Sequence, residues 1–231
     1  MKAQGIIPPP KLEDTTIEDV LKTFQDSYAQ KDFAKAQSIL QSHRQDVEPE
    51  LWHYNMGTVK AQLKSWAEAR FHFLEAQAHG LTGAEANLRI VEKNLEVQRL
   101  EKPLSVQDYF VQLSLGATNL GATTFVSLVI LIVGLWHLRR RWSLGLGALY
   151  GVLLSLPLIF GLWVSQWPKG VALESATLLE GPSVIFGTRA ELPAGVLVVF
   201  RQEGEWKEVI YPSRFRGWIK SSNLKMMELA R

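Results

Sequence analysis

The sequence predicts a multidomain membrane protein made of all-α helical hairpins, a two-helix transmembrane hairpin and a small all-β barrel. Three observations predict it. Residues 11–115 read as a soluble helical protein, residues 120–167 are almost free of charge apart from one cluster, and from residue 171 the chain turns rich in Gly, Pro and β-branched residues. These shifts divide the 231 residues into a disordered segment (1–14), a helical domain (15–103), a short helix (104–118), a membrane hairpin (119–168) and a β domain (171–231). The net charge of +2 argues against nucleic acid as a partner, because phosphate binding needs clustered Lys and Arg. The chain has no cysteine, so it has no disulfide, thiolate metal site or cysteine nucleophile.

In the helical region, Asp32-Phe33-Ala34-Lys35-Ala36 is echoed by Ser65-Trp66-Ala67-Glu68-Ala69, with Ala36 and Ala69 standing 33 residues apart. Small residues let two helices approach, and the large apolar residues after them fill the space on either side. Asn55-Met56-Gly57 and the small–large–small set Ala69, Phe73, Ala76 fall in the second copy, where Gly57 allows close contact with the partner helix. These residues resemble tetratricopeptide (TPR) repeats, whose period is about 34 residues. The first copy, residues 17–49, is the weaker, with Phe24 where Gly is usual, and Lys60 and Leu81 also depart from the pattern. Residues 85–100 read as an amphipathic capping helix.

The resemblance implies peptide or protein binding in a concave groove. Its candidates are Lys22 and Asp26 in the first copy and Asn55, Thr58 and Gln62 in the second. Each reads equally as part of a solvated helix face. About three repeats are needed to bury a continuous core, so this unit is expected to lean on a membrane, a partner, or the segment VQDYFVQL at 106–113. With Tyr109, Phe110 and Leu113, that segment reads either as an interfacial helix or as the start of the first membrane helix.

Residues 120–138 contain no Asp, Glu, Lys or Arg, and neither do residues 144–167. Each run is close to the ~20 residues that cross a ~30 Å hydrocarbon layer. Pro157 is tolerated in such a helix, and Trp136, Trp142, Trp163 and Trp167 stand near the ends, where amphipathic rings favour the headgroup layer. The turn holds Arg139, Arg140 and Arg141, and three such charges bias it to the cytoplasmic side by roughly 7 kcal/mol at 100 mV. This topology predicts a multi-pass bacterial inner-membrane protein with both flanking domains in the periplasm. Residues 1–10 have no apolar core. The favoured reading is that a signal segment lies upstream, the alternatives being a processed or engineered form and an inverted topology.

The β region alternates short apolar runs with turn residues. Glu203-Gly204-Glu205, between VLVVF and WKEVI, is a hairpin signal. Gly181-Pro182-Ser183, Leu192-Pro193-Ala194-Gly195, Glu205-Trp206-Lys207-Glu208-Val209, Gly217-Trp218-Ile219 and Asn223-Leu224 together resemble bacterial SH3-like domains over about sixty residues. Such domains bind peptides or peptidoglycan, and here Phe186, Trp206, Tyr211, Phe215 and Trp218 are candidates to line the groove. Trp206 and Trp218 read equally as core, since large rings bury much area.

The order of these parts resembles the BatE-type proteins of the Bacteroides aerotolerance (Bat) group. That resemblance implies partners among inner-membrane proteins with von Willebrand A domains, a BatD-type protein and a MoxR-type AAA+ ATPase. It also implies a role in stress or oxygen tolerance. The histidines His43, His53, His72, His79 and His137 form no H-x-x-x-H or H-E-x-x-H pair. No nucleophile elbow, P-loop or dinucleotide fingerprint occurs. The expectation is therefore a non-enzymatic, membrane-anchored scaffold without metal or cofactor, whose partners are the bilayer and Bat-type membrane proteins. The alternative is a peptidoglycan-binding sensor or anchor.

Overall fold

The computed structural model of the chain describes residues 17–115, 128–129, 131–134, 136 and 167–228. α1 (Ile17–Ala29) turns Val20 and Phe24 inward, four residues apart and hence on one face. α2 (Phe33–Ser42) begins at Asp32, whose carboxylate accepts the Lys35 N–H at 3.0 Å and so satisfies one of the free donors of the first turn. α3 (Pro49–Gln62) starts with Pro, whose missing N–H costs nothing at that position. The Trp52 indole N–H donates to the Leu40 carbonyl at 2.6 Å, fastening α3 to α2. α4 (Trp66–Ala78) lies against α3, and the approach is close because Gly57 has no side chain: a Cβ there would stand 3.0 Å from the Phe73 ring. α5 (Glu85–Leu95) buries Leu88 and Val91 against α4, and Glu96 (φ 54°) turns the chain into α6 (Val97–Leu100).

α7 (Val106–Leu115) starts with a reciprocal cap. The Ser105 hydroxyl accepts the Asp108 N–H at 3.0 Å, and the Asp108 carboxylate accepts the Ser105 N–H at 3.2 Å.

The C-terminal part forms β1 (Lys169–Ala172), β2 (Ala176–Leu179), β3 (Thr188–Leu192), β4 (Leu197–Glu203), β5 (Trp206–Tyr211), β6 (Gly217–Lys220) and β7 (Leu224–Met226). Their order in the sheet is β3-β2-β6-β5-β4-β1-β7, with antiparallel pairing throughout. β5 buries Lys207, Val209 and Tyr211 and half-exposes the residues between, the period of two that a pleated strand imposes. The tight turn at Gly204 pairs Glu203 with Trp206.

The helices complete the core of this sheet. Val97 of α6 is fully buried among Leu178, Leu192, Val198, Phe200 and Ile219, with Leu95 and Leu100 packed beside it. On the other side of β4, Val199 meets Val111 of α7 and Tyr211 of β5. Each large side chain buried this way stabilises the joint by roughly 1.5–3 kcal/mol, so the two parts of the chain hold each other.

This corrects the expected fold class. The sequence predicted TPR-like hairpins and an SH3-like barrel as separate domains flanking a two-helix transmembrane hairpin. The described residues include helices α1–α7 and one seven-stranded antiparallel sheet, and the chain from the end of α5 packs Leu95, Val97 and Leu100 into the core of that sheet. The expected barrel is not self-contained, because α5–α7 supply part of its interior. No helix among the described residues is long and apolar enough to cross a membrane. Of these, α3 is the longest at 14 residues, or about 21 Å at 1.5 Å per residue, short of the ~30 Å hydrocarbon layer.

Spans 120–138 and 144–167, Arg139, Arg140, Arg141 and segment 1–14 lie outside the described residues, except that 128–129, 131–134 and 136 are helical and Trp167 leads into β1. The expected multi-pass inner-membrane protein with periplasmic domains therefore has no spanning helix among the described residues to rest on. That placement is withdrawn, together with the transmembrane, TPR-repeat and SH3-domain descriptions.

Candidate functional site

The residues singled out from the sequence are scattered. Lys22 and Asp26 are exposed on α1. Asn55 is half-buried on α3; the Thr58 hydroxyl donates to the Tyr54 carbonyl at 2.9 Å, and the Gln62 amide donates to the Tyr28 hydroxyl at 3.0 Å. The polar ends of Thr58 and Gln62 are thus engaged within the helical layer. The five sheet aromatics do not meet in one groove. Tyr211 is buried on the α7 side and donates to the Glu101 carbonyl at 3.2 Å, whereas Phe215 is buried in the core on the other side. Trp206 and Trp218 are half-buried diagonal neighbours on β5 and β6.

Phe186 stands in the loop between β2 and β3. That loop is held by its own backbone: Glu180 N–H donates to the Gly187 carbonyl at 3.0 Å, Ser183 N–H to Gly181 at 2.9 Å and Phe186 N–H to Ser183 at 3.2 Å. The Phe186 ring covers Gly181, where a Cβ would stand 2.7 Å from it. At the tip, Val184 is 74% exposed and Ile185 is 86% exposed.

Two polar joints tie the helices to the sheet, and sequence reading singled out neither. The first centres on Arg70 of α4, which is buried. Its guanidinium donates to Glu92 of α5 at 2.8 Å, to Glu101 at 2.5 Å and to the Gly195 carbonyl at 2.6 Å. Burial alone would lower the pKa of Arg70, but Glu101 and then Glu92 outweigh it and hold the group charged. Glu101 also accepts the Leu197 N–H at 2.7 Å. Gly195 reaches this contact at φ +84°, pressed so closely on Leu95 that a Cβ would stand 2.6 Å from it. Nearby, Asp108 accepts from the Leu104 and Ser213 N–H groups and from the Ser213 hydroxyl at 2.5 Å. Burial alone would raise its pKa, but these hydrogen bonds hold the carboxyl below its ordinary 3.8.

The second joint is a pocket of about 280 Å³ between α3, α4 and the chain around β7, with Trp52, His53, Phe71 and His72 on one wall and Lys225, Met226 and Glu228 on the other. His72, Glu75 and His79 occur at i, i+3 and i+7 of α4 and its C-cap, a spacing that places them on one helical face. That spacing was the legible signal for this site. His53 enters from α3, its ring stacked at 5.7 Å on His79 and edge-on to Trp52 at 4.9 Å. The Nδ1 atoms of His53 and His72 are 3.1 Å apart. Burial, helped by neighbouring cations and histidines, lowers His53 to about 4 and His72 to about 3. Glu75 accepts the Glu228 N–H at 2.8 Å on Oε1. Burial above all pushes its pKa up to about 7, and the Glu228 carboxylate adds to the rise. Arg44 lies over the Trp52 ring at 4.9 Å, with Nη2 3.4 Å from Glu228. One donor atom each from His53, Glu75 and His79 lies within 4.8 Å of the other two.

No protein-family model matches the chain, and neither a curated protein nor a solved structure matches it.

Proposed function

We propose that the chain is a non-enzymatic protein-binding adaptor that docks a partner protein through the β2–β3 loop. The observation that supports this reading is the run Val184-Ile185-Phe186, exposed by 74%, 86% and 44% on a loop whose backbone is already hydrogen-bonded. Adjacent exposed apolar side chains mark interaction sites, and a pre-ordered loop loses little entropy on docking. The partner is a protein with an apolar cleft.

The test is chemical crosslinking and co-purification from the source cell, comparing the native chain with Val184→Asp/Ile185→Asp. Both positions are exposed, so stability should stay within about 0.5 kcal/mol of native. A specific partner captured by the native chain and lost with the variant is the expected result. Capture of the same proteins by both chains, or of none by either, refutes the reading.

A further inference from the structure

Beside the pocket at the second joint, behind His53 and Glu228 of its lining, lies a polar mismatch that the protein's own groups leave open. Glu75 is fully buried, yet its Oε2 has no hydrogen-bond partner, and neither has the buried Nε2 of His79. The two atoms face each other at 3.8 Å, beyond hydrogen-bond distance. Buried polar atoms in native proteins are normally satisfied, and an orphaned pair points to a missing water or ion.

We propose that His53, Glu75 and His79 bind a first-row divalent transition-metal ion of the zinc class, with Glu228 as the fourth donor. The three donor atoms lie within 4.8 Å of one another. Donors about 2.0–2.2 Å from a tetrahedral zinc stand roughly 3.3 Å apart, so side-chain closure of up to about 1.5 Å completes the shell. Glu228 Oε2 is 3.9 Å from His79 Nε2, close enough to join by the same small movement. Its other oxygen faces Arg44 at 3.4 Å, which orients the carboxylate. His72 is the outer partner of His53 across the 3.1 Å Nδ1–Nδ1 contact, in the way that second-layer groups fix a ligating imidazole.

Two imidazole nitrogens with carboxylate oxygens suit Zn²⁺, Co²⁺, Ni²⁺ or Cu²⁺, whereas Ca²⁺ and Mg²⁺ prefer all-oxygen shells. Lys225, placed over Phe71 at 5.6 Å, and Arg44 are the cations facing the pocket. The carboxylates of Glu75 and Glu228 offset them. The exposed rim of Lys225, Met226 and Glu228 gives an ion a way in. The ion would join α3 and α4 to the segment after β7.

The test uses the untagged full chain stripped with EDTA. It is titrated with Zn²⁺ against a chromophoric chelator, and separately with Co²⁺, whose visible absorption reports nitrogen and oxygen ligation. The expected result is saturable binding of a single equivalent and a melting temperature that rises with Zn²⁺ concentration, as mass action on the native state requires. His79→Ala and Glu75→Gln should each weaken binding by about tenfold or more, since loss of outer-layer partners alone costs about 10–100-fold. His79 is partly exposed at a helix end, so its replacement tests binding without emptying the core, and circular dichroism checks the fold of both variants. His43→Ala, outside the cluster, should bind as the native chain does. Absence of saturable binding overturns the proposal and leaves a bridging water as the occupant. Binding that survives both His79→Ala and Glu75→Gln also overturns it, as does equal stabilisation by Mg²⁺. The proposal stands apart from the adaptor reading, because Val184→Asp/Ile185→Asp should leave metal binding unchanged.

Discussion

The two joints between helices and sheet are built from similar residues and end in opposite states. At the first, Arg70 meets two carboxylates and a backbone carbonyl, and Glu101 meets a backbone N–H as well. At the second, a fully buried carboxylate and a histidine face each other with Glu75 Oε2 and His79 Nε2 unpartnered. A satisfied network is a structural clamp, because desolvation is offset by hydrogen bonds and Coulomb attraction. An unsatisfied one of the same depth is a standing cost unless something else occupies it. The contrast separates a site that holds the fold from a site that can hold a ligand.

The largest effect that would sharpen this comparison comes from Arg70→Met. It strands Glu92 and Glu101, and the expected loss is about 3–5 kcal/mol, the range for breaking a buried ion pair. Urea unfolding measures it. Adding Glu92→Gln and Glu101→Gln should recover part of the loss, because the stranded charges are then gone. A loss below about 1 kcal/mol for Arg70→Met would make the clamp no stronger than a surface pair.

Asp108→Ala should come next, at about 2–3 kcal/mol, for hydrogen bonds to a charged acceptor that leave Leu104, Ser105 and Ser213 donors unpaired. The pH dependence has a fixed sign. The folded pKa lies below the ordinary 3.8, so this stabilisation is complete above about pH 4 and is lost as pH falls through the folded value. Asp108→Asn should therefore narrow the gap between its unfolding free energy and that of the native chain as pH is lowered from 6 to 3. A gap that stays constant over that range shows that the carboxylate charge carries none of the effect.

The smallest effect is expected at the second joint. Glu75→Gln in the metal-free protein keeps an acceptor for the Glu228 N–H and replaces a buried, unpartnered carboxyl oxygen by a group that cannot ionise. Its stability should stay level or rise by up to about 1 kcal/mol, in line with the cost of an unsatisfied buried group. If Glu75→Gln unfolds as readily as Arg70→Met, both joints are clamps and the comparison breaks.

Local structure was legible where neighbours in sequence decide it. The hairpin at Glu203-Gly204-Glu205 and the alternation of WKEVIY are set by backbone geometry and the period of the pleat. The close approach at Gly57 is set by a missing side chain facing Phe73. The Ser105–Asp108 cap is equally a local matter, a helix-start pattern set by two residues three positions apart.

The sequence by itself determined the runs of helix and strand, the absence of thiol chemistry and the near-neutral charge, because each depends on composition or on residues a few positions apart. Only the tertiary structure decided that Val97 of α6 enters the core of the sheet, that Tyr211 and Phe215 face opposite sides of the sheet, and that His53 on α3 meets Glu75 and His79 on α4. Arg70 and Gly195 lie 125 residues apart in sequence, and nothing local distinguishes a solvated arginine from one at the centre of a buried joint. The same holds for Glu75 and the Glu228 backbone N–H, 153 residues apart. Whether a charged side chain is hydrated, paired or left open for a ligand is fixed by burial, and burial is a property of the packed chain rather than of any segment of it.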